Sequence, residues 1–496
     1  MSAPAIRASD PGLPGLPRRP DGRAPVVFLG VPMAINVRDI LRTDAFAVIR
    51  ASGAEVHLFT PAADVAEFQS EFGGGNVVIH PLRAPDSVVF DFVDGLVQRF
   101  YVAILSLRCD TARIMVAETL SRSFPARLVR GVLGVVGRSG QDLVLAALRA
   151  LTRWTAPELY RAEFAGLTPD LVVGTRALTM SGPRAHSSAR YLDRHLLLSA
   201  ARRGVPTMVL VSSWDNLTTS GFFSVDVDRI TVWNDIMKGE AVGIHGLAPE
   251  RVVVTGAPQH DLFARDRGFK ERAEFLSGLG LDSGLPVIVY TTGTEGTIPR
   301  EPEVVGRLHD ALAAELGDAF QLLVRVHQLD QLERYAGLGG RPRIVFDHAG
   351  RGTVGSYHDR DFDRVAFEHL ADTLRHADVV VNAASSISID AAAVGTPVVC
   401  VDYDAEPGTP YHRSVRRFYD FTHQQPVAAS GGIVRARTPQ EVVAAVKRYL
   451  ADRTLDAEGR ARLVREQCYR LDGRSGRRVG EAVLDALARS VGARRG

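Results

Sequence analysis

The most constraining feature of this chain is a strand, turn, helix and second strand encoded between residues 377 and 401. Three valines at residues 379–381 are followed by small and hydroxyl residues, and a second apolar run follows a Gly-Thr-Pro turn. Two such strands joined through a helix predict a parallel sheet. Serine hydroxyls and free backbone N–H groups at the helix start suit a phosphate, and Asp390 further in could bind a ribose diol. The plainer interpretation is a serine N-cap on an ordinary crossover.

The same alternation of apolar runs and helical segments recurs along the whole chain. In the first half the runs lie at residues 25–30, 55–59, 77–80, 171–174, 207–211, 229–233 and 252–254. In the second half they lie at residues 286–290, 321–326, 343–346, 378–381 and 398–401. Strands that alternate with helices predict parallel sheets covered on both faces. We therefore predict an α/β fold class with two Rossmann-like, doubly wound domains facing across a cleft.

Composition changes along the chain predict the domain boundaries. Residues 1–24, rich in Pro, Gly and Arg, are predicted to be a disordered tail. The first domain covers residues 25–263 and carries a helical insertion at about 88–165. A polar connection at 264–285 leads to a second domain at 286–475, and a final helical segment occupies 476–496.

Bulk properties exclude several classes of protein. A net charge of +2 over 496 residues gives no reason to expect a nucleic-acid partner. The three cysteines are scattered, which predicts a reducing compartment without disulfides or a zinc site. No segment has the roughly 18 uninterrupted apolar residues of a spanning helix. We therefore predict a cytoplasmic protein.

Four loops of the second half follow predicted strand ends and are expected to converge. They offer hydroxyls, backbone amides and imidazoles, which suit a diphosphate without lysine or a metal ion. Each residue taken alone is as compatible with a structural role. The candidate donor-binding residues are Thr292, Gly293, Thr294, His327, His348, Ser385, Ser386 and Asp390.

The second half resembles the nucleotide-binding domain of GT-B glycosyltransferases and is similar to CDP-glycerol glycerophosphotransferases, which share that fold. The resemblance covers roughly residues 284–490 and is carried by residues 325–327, 377–378, 385–386, 390 and 393–398. Two departures are visible. Asp390 stands where many members carry glutamate, and Asn-Ala-Ala at 382–384 replaces the usual Asp-Tyr before the two serines.

The resemblance implies specific roles. Thr292, Gly293, Ser385 and Ser386 would hold the donor diphosphate, with His327 close to it. Asp390 would contact the ribose. The final helix would cross back to the first domain.

The acceptor side is expected from the first domain. Trp214, Asp215 and Asn216 follow a predicted strand; the tryptophan offers an apolar wall and Asp215 a general base. The alternative is an Asx-turn whose tryptophan packs into the core. Asn36 and Arg38 are further acceptor-binding candidates at the start of a helix predicted over residues 37–51.

Two more residues are candidate bases. Asp39 is one, and a helix-start carboxylate that favours the dipole is its alternative interpretation. His186 is the other, with a surface histidine as its alternative. His260 and Asp261 would line the cleft or cap the connecting helix. The Asp-x-Asp pairs at 226–228 and 359–363 only superficially match a metal motif, so no metal or other cofactor is predicted.

The predicted insertion contains a basic amphipathic segment. Apolar residues recur every fourth position from Leu120 to Val136, and residues 120–156 hold six arginines and one aspartate, a balance of +5. Such a helix can lie on an anionic membrane surface and bring a lipid-linked acceptor to the site. The alternative is an ordinary core-facing helix with solvated arginines.

These observations predict a metal-independent glycosyltransferase that moves a sugar from a nucleotide-diphosphate donor to a hydroxyl acceptor, in cell-envelope polysaccharide or glycolipid synthesis. It would be peripheral on the inner face of the cell membrane. Three alternatives remain: a CDP-glycerol-type glycerophosphotransferase, a sugar-nucleotide 2-epimerase, and a non-catalytic nucleotide-sugar-binding protein.

Overall fold

The structure is a computed structural model that describes residues 15–175, 193–264, 269–298, 300–328, 330–348 and 364–493. The chain divides into two compact units. The first comprises Met1–Gln259 together with Arg474–Gly496, and the second comprises His260–Gly473.

The first unit is built on a seven-stranded sheet in the order β3-β2-β1-β4-β5-β6-β7, and every neighbouring pair is parallel. Strands such as β1 are buried on both faces, which is why their sequences are apolar without alternation. The strands are β1 Val26–Gly30, β2 Glu55–Thr60, β3 Val77–Pro81, β4 Leu171–Gly174, β5 Thr207–Leu210, β6 Arg229–Val232 and β7 Val252–Val254.

Helices cover this sheet. They are α1 Ala34–Asn36, a π-helix Val37–Leu41, α2 Asp44–Ala51, α3 Ala66–Phe72, α8 Arg161–Leu167, α9 Arg194–Arg202, α10 Asn216–Thr219, α11 Asp235–Gly243, a 3-10 turn Pro249–Arg251 and α20 Ser475–Ala493. The single helix predicted over residues 37–51 is therefore wrong. Residues Val37–Leu41 form a π-helix, and the separate helix α2 begins after Thr43. The Thr43 side chain caps α2 by accepting a hydrogen bond from the Ala45 N–H.

The insertion is helical, as predicted. It consists of α4 Val88–Arg108, α5 Asp110–Arg122, α6 Phe124–Val135 and α7 Gly137–Thr155. Ser87 caps α4 and Ser123 caps α6 through side-chain hydrogen bonds. Tyr101, Leu133 and Leu145 form its core.

The apolar stripe of α6 does not face that core. Phe124, Leu128 and Val132 are 66%, 57% and 55% exposed, and Val135 at the end of the helix is 89% exposed. The core-facing alternative for this stripe is therefore wrong.

The second unit has a six-stranded parallel sheet in the order β10-β9-β8-β11-β12-β13. Alternate residues of β8 face opposite sides: Ile288 and Tyr290 belong to one apolar core, Val287 and Val289 to the other. The strands are β8 Val287–Thr291, β9 Gln321–Val326, β10 Ile344–His348, β11 Val379–Asn382, β12 Val398–Val401 and β13 Ile433–Ala436.

Helices lie on both faces of this sheet. They are α12 Asp261–Ala264, α13 Arg272–Gly278, α14 Glu301–Leu316, α15 Arg364–His376, α16 Ile387–Ala393, α17 Gln425–Ala429, α18 Pro439–Ala451, α19 Ala457–Cys468 and the 3-10 segments Pro258–His260, Leu332–Leu338 and Val415–Asp420. The two doubly wound sheets confirm the predicted α/β fold class of GT-B type.

No single helix among the described residues is long and apolar enough to cross a membrane. Within the described parts of the chain, α6 and α7 taken together have the length and apolar composition of a span, but they are bent by 117° at their junction.

The contact between α2 and α20 predicts a position where only glycine fits. A Cβ at Gly480 would lie 2.7 Å from Val48 Cβ and 2.8 Å from the Ala45 carbonyl oxygen. We expect Gly480→Ala to destabilise the first unit by about 1–3 kcal/mol, because packing strain exceeds the gain in helix propensity.

Urea unfolding measures this effect. Gly492→Ala in the same helix is the matched control, since nothing lies within 4 Å of its added methyl group. It should stabilise the protein by up to about 1 kcal/mol. Equal midpoints for the two variants would contradict the close approach.

Candidate functional site

The strand order of the second sheet reverses between β8 and β11. Connections on the two sides of such a reversal diverge, which leaves a crevice beyond the carboxyl ends of the strands. Residues 292–298 follow β8 and residues 383–386 follow β11. The predicted donor-binding loops therefore meet at the place where parallel sheets bind ligands.

A direct hydrogen bond joins the loops after β8 and β9. The His327 backbone N–H donates to Thr292 Oγ1 at 2.9 Å, and the Thr292 N–H donates to the Arg325 carbonyl at 3.1 Å. Thr292 is buried and His327 is half-buried. The threonine thus positions the start of the histidine loop. Thr294 lies further out, where its hydroxyl meets that of Thr297 at 2.9 Å.

A buried carboxyl group holds the glycine of this loop. The Gly293 N–H donates to Glu301 Oε2 at 2.8 Å, and the Tyr290 hydroxyl donates to Glu301 Oε1 at 3.1 Å. Burial raises the pKa of Glu301 to about 8. The Gly293 amide, predicted to face a phosphate, is therefore engaged within the protein.

The turn from β11 to α16 is organised by Asn382, which is fully buried. Its Oδ1 accepts from the Ser385 N–H and the Ser388 hydroxyl, each at 3.2 Å. Ala384 has a φ of 47°, a left-handed conformation that is unusual for alanine. The Gln424 side chain donates to the Ala384 carbonyl and secures this strained turn.

The two serines differ in their surroundings. Ser385 Oγ accepts from the Ile387 N–H at 3.3 Å and so caps α16. Ser386 makes no side-chain capping bond at its N-cap position. Both are half-buried at the carboxyl edge of the sheet.

Asp390 has a partner within its own unit. Its Oδ1 lies 3.2 Å from Nε2 of the buried His260. Burial opposes the charged imidazole, but Cys468 and Asp390 raise the pKa of His260 to about 10. The half-buried Asp390 is therefore ion-paired with a buried histidine.

His348 ends β10, beside Val326 of β9. Its Nε2 lies 3.4 Å from the Asp330 carbonyl oxygen. The preceding Asp347 is paired with Arg325 and His369, and although burial opposes its charge, these two partners lower the pKa of Asp347.

In the first unit the strand order reverses between β1 and β4. Asn36 follows β1 and donates through Nδ2 to Ser212 Oγ at 2.9 Å. Arg38 and Asp39 form an ion pair with N–O distances of 2.5 and 3.0 Å. Asn36 and Asp39 line a small cavity with Ile40, Leu210, Val211, Ser212, Thr231, Trp233, Thr255, Gly256, Pro258, Gln259 and Val479.

Trp214, Asp215 and Asn216 lie at the end of β5 but are not among the residues lining that cavity. Trp214 and Asn216 are buried, which agrees with the core-packing alternative for the tryptophan. Asp215 is half-buried and accepts hydrogen bonds from the hydroxyls of Ser213 at 2.5 Å and Thr219 at 3.1 Å.

A family model for CDP-glycerol:poly(glycerophosphate) glycerophosphotransferases matches residues 224–485, which is more than half of the chain. The chain belongs to this glycerophosphotransferase family. This match confirms the predicted resemblance. The family is one of transferases, and the chain has a GT-B-type fold. The match contains the whole sheet of the second unit.

Several solved structures are similar to this glycerophosphotransferase-family chain. The UDP-GlcNAc 2-epimerase from Neisseria meningitidis, bound to UDP-GlcNAc, shares 11% identity over 93% of this chain and 100% of its own, with a TM-score of 0.49. A glycosyltransferase from Rickettsia africae shares 9% identity over 93% and 99%, with a TM-score of 0.47. The wall teichoic acid polymerase TagF shares 19% identity over 54% and 59%, with a TM-score of 0.36. No curated protein matches the chain.

The sequence analysis did not identify two carboxyl groups that lie near these sites. One is Glu301. The other is Glu240 on α11, whose two carboxyl oxygens have no hydrogen-bond partner among the described residues. Burial and the charge of Asp215 raise its pKa to about 8. Both lie on helices, where a lone glutamate ordinarily faces solvent, so only tertiary packing distinguishes them.

The remaining predicted site residues do not lie among the residues described above. His186 and the acidic residues at 359–363 are outside the described residues. Asp226 pairs with Arg251 at the surface. In the part of the chain that is described, no three His, Cys, Asp or Glu residues are grouped as a metal site would require.

The raised pKa of Glu301 predicts a pH dependence of stability. Between its ordinary value of 4.5 and about 8, the folded protein keeps a proton that the unfolded chain has lost. The contribution of Glu301 to the free energy of unfolding should therefore fall as pH rises through this window.

Glu301→Gln removes this titration while its carboxamide can still accept from Gly293. We expect urea midpoints of the variant to decline less steeply between pH 5 and pH 8 than those of the wild type. Glu303→Gln, exposed on the same helix, is the matched control. An unchanged slope in Glu301→Gln would show that Glu301 is not the titrating group.

Proposed function

We propose that this protein transfers a sugar from a nucleotide-diphosphate donor to a hydroxyl acceptor, and that the donor lies in the crevice of the second sheet. The observation that carries the proposal is that the Thr292–His327 and Ser385–Ser386 loops follow the neighbouring strands β9, β8 and β11 at the point where the strand order reverses. Membership of a family described by the donor CDP-glycerol supports a nucleotide-diphosphate donor, although it does not distinguish a sugar from glycerophosphate as the group transferred.

Within this crevice the residues have different tasks. His327, with Ser386 and the amides of the surrounding loops, would contact the diphosphate, while Thr292, Gly293 and Ser385 shape those loops. His348 and Thr294 border the same edge. Asp390 would contact the ribose through a carboxylate that is also ion-paired with His260.

Sugar transfer suits the charge of these loops. Three of the four loops, residues 292–298, 327–328 and 383–386, contain no lysine or arginine, whereas the sequence of the fourth, after His348, includes Arg351. When a sugar leaves, positive charge develops on the sugar ring and the negative charge departs on the diphosphate. Phosphoryl transfer instead places negative charge at the attacked phosphorus, where enzymes usually supply cations. Donor binding without a metal ion is part of the proposal.

The second candidate, favoured by the family match, is transfer of glycerophosphate from CDP-glycerol. An acceptor hydroxyl would then attack the β-phosphorus, and CMP would leave. In sugar transfer the hydroxyl attacks the anomeric carbon, and a nucleoside diphosphate leaves. If sugar transfer inverts the configuration of the sugar, Asp215 or Asp39 of the first unit would take the hydroxyl proton. If it retains the configuration, no separate base is needed.

The donor site predicts nucleotide binding that depends on His327. Calorimetry with UDP, GDP, CDP and dTDP should find at least one that binds. His327→Ala should weaken that nucleotide roughly tenfold, because one charge-assisted hydrogen bond is lost. His376→Ala is the control, since His376 ends α15 just before β11 and so lies at the opposite edge of the sheet.

Failure of all four nucleotides to bind would contradict the donor site. If a nucleotide binds, the product released during turnover distinguishes the two candidates. Release of CMP identifies glycerophosphate transfer, and release of a nucleoside diphosphate identifies sugar transfer.

We further propose that the exposed stripe of α6 lies on the cytoplasmic face of an anionic membrane, where a lipid-linked acceptor for envelope polysaccharide or glycolipid would be found. Four apolar side chains, Phe124, Leu128, Val132 and Val135, are exposed together. Arg127 on the same helix is exposed, and the exposed Arg122 and Arg138 nearby are paired with Glu118 and Asp142. Apolar insertion and basic charge together are what interfacial helices use.

Flotation with vesicles tests this surface. The protein should bind vesicles containing phosphatidylglycerol at low salt, and binding should weaken at high salt. Leu128→Ser combined with Val132→Ser should reduce binding roughly tenfold, since two exposed apolar side chains that would insert into the membrane are lost. Val365→Ser, an equally exposed valine of the second unit, should have no effect. Equal binding by the double variant would rule out this surface.

A further inference from the structure

The residue proposed to contact the ribose brings a negative charge close to the diphosphate. Asp390 lies one helical turn after Ser386, and its backbone N–H donates to the Ser386 carbonyl oxygen at 3.2 Å. Side chains four positions apart on a helix are neighbours on one face. An unbalanced carboxylate here would repel a nucleoside diphosphate held by the Ser386 loop, because like charges repel strongly where little water separates them. A donor site that contains Asp390 therefore needs a compensating positive charge.

His260 is the group that meets this carboxylate. Its Nε2 lies 3.2 Å from Asp390 Oδ1, and the histidine side chain is 3% exposed whereas that of the aspartate is 13% exposed. The 3-10 segment Pro258–His260 thus places the imidazole against α16, within the same compact unit. The contact uses one carboxyl oxygen, so Oδ2 remains for the ribose hydroxyls.

Cys468 is a second partner of the same imidazole. It is the last residue of α19, it is fully buried, and its side chain hydrogen-bonds to His260. Helix α19 packs against α16, so the sulfur and the carboxylate reach the ring from two adjoining helices. The carbonyl end of a helix also favours a positive charge. Asp261, which follows His260 in the sequence, is a further buried acid nearby.

These surroundings decide the charge of His260. Burial by itself favours the neutral imidazole, but Cys468 and Asp390 outweigh it and raise the pKa of His260 to about 10. A histidine with its ordinary pKa of 6.5 is largely neutral above neutral pH. His260 therefore carries a positive charge although it is almost completely buried, and buried charges are retained in proteins where they have a partner.

We propose that His260 is a positioning residue for donor binding: its imidazolium, held by Cys468, neutralises Asp390 and fixes that carboxylate with Oδ2 toward the ribose. The inference rests on the proposed function and specifies how one crevice accommodates both an acidic ribose contact and a diphosphate. It applies equally to a nucleotide-sugar and to CDP-glycerol, since both carry a ribose beside a diphosphate. His260 acts through Asp390 and is assigned no contact with the donor.

A variant that removes the charge but keeps a hydrogen-bond donor tests this role. His260→Gln retains a side-chain N–H that can donate to Asp390. The probes are whichever of UDP, GDP, CDP and dTDP binds in calorimetry, and its parent nucleoside followed by saturation-transfer NMR, with the full chain at neutral pH. The variant should bind the diphosphate roughly tenfold more weakly. The nucleoside should bind within about twofold of the wild type, because it has no charge to be repelled.

Removing the second charge should restore binding of the diphosphate. In the double variant His260→Gln with Asp390→Asn neither charge is present, so the affinity should return to within roughly threefold of the wild type. His376→Gln, at the opposite edge of the sheet, is the matched control and should leave both affinities unchanged.

A purely structural role predicts a different pattern. The single variant would then lose the nucleoside together with the diphosphate, and the double variant would bind no better than the single one. Either result, or equal binding of the diphosphate by wild type and His260→Gln, would overturn the proposal.

The pH dependence of binding gives a second measurement that leaves His260 in place. The proton of His260 is present below its raised pKa and is lost as pH rises through that value, so the affinity of the wild type for the diphosphate should fall only in that range. Cys468→Ala should shift this fall to lower pH, because one of the two partners that hold the proton is gone. Cys109→Ala, which changes a buried cysteine of the first unit, is the control.

The outcomes separate this inference from the proposed function. If His260→Gln fails to fold, as judged by its melting temperature, the second measurement decides, and identical pH profiles of wild type and Cys468→Ala overturn the proposal. Absence of binding of all four nucleotides to the wild type removes the donor site and this role with it. Nucleotide binding that is insensitive to both His260 and Cys468 overturns this role alone.

Discussion

Each sheet of this protein depends on a constraint of parallel β-structure: crossovers are right-handed, so strand order can reverse only where successive connections run over opposite faces. At that point the loops part and a crevice opens. In the second unit the reversal between β8 and β11 brings together the loops of Thr292 and Ser385. In the first, the reversal between β1 and β4 lies beside Asn36. The proposed donor position and the place of the candidate base Asp39 are consequences of the same topology.

Buried polar groups then give the crevice of the second unit its shape. Glu301 is costly to bury, but it accepts from both Gly293 and Tyr290 and so holds the first loop. Asn382 does the same for the strained turn at Ala384. These residues need not touch a ligand. They keep the loops in one conformation, which spares a ligand the entropic cost of ordering them.

Sequence reasoning located the strands well because strands buried on both faces are continuous apolar runs. It missed β13, whose four residues include an arginine and lie at the sheet edge. It located Thr292, His327 and Ser385 because they follow strand ends. It could not foresee that Asp390 pairs with His260, 130 positions away in the sequence. It left the burial of Trp214 open between two interpretations and missed Glu240, since burial of a tryptophan or a glutamate depends on what packs over it.

The amino-acid sequence by itself determined the α/β class, the two successive sheets and the set of loops at their carboxyl edges, because hydrophobic periodicity is a local property. Tertiary structure alone decided which amides and carboxylates of those loops are already hydrogen-bonded or ion-paired within the protein. It also decided that the apolar stripe of α6 faces outward. A side chain's partners come from distant segments, and an amphipathic pattern is the same whether its apolar face meets a core or another surface.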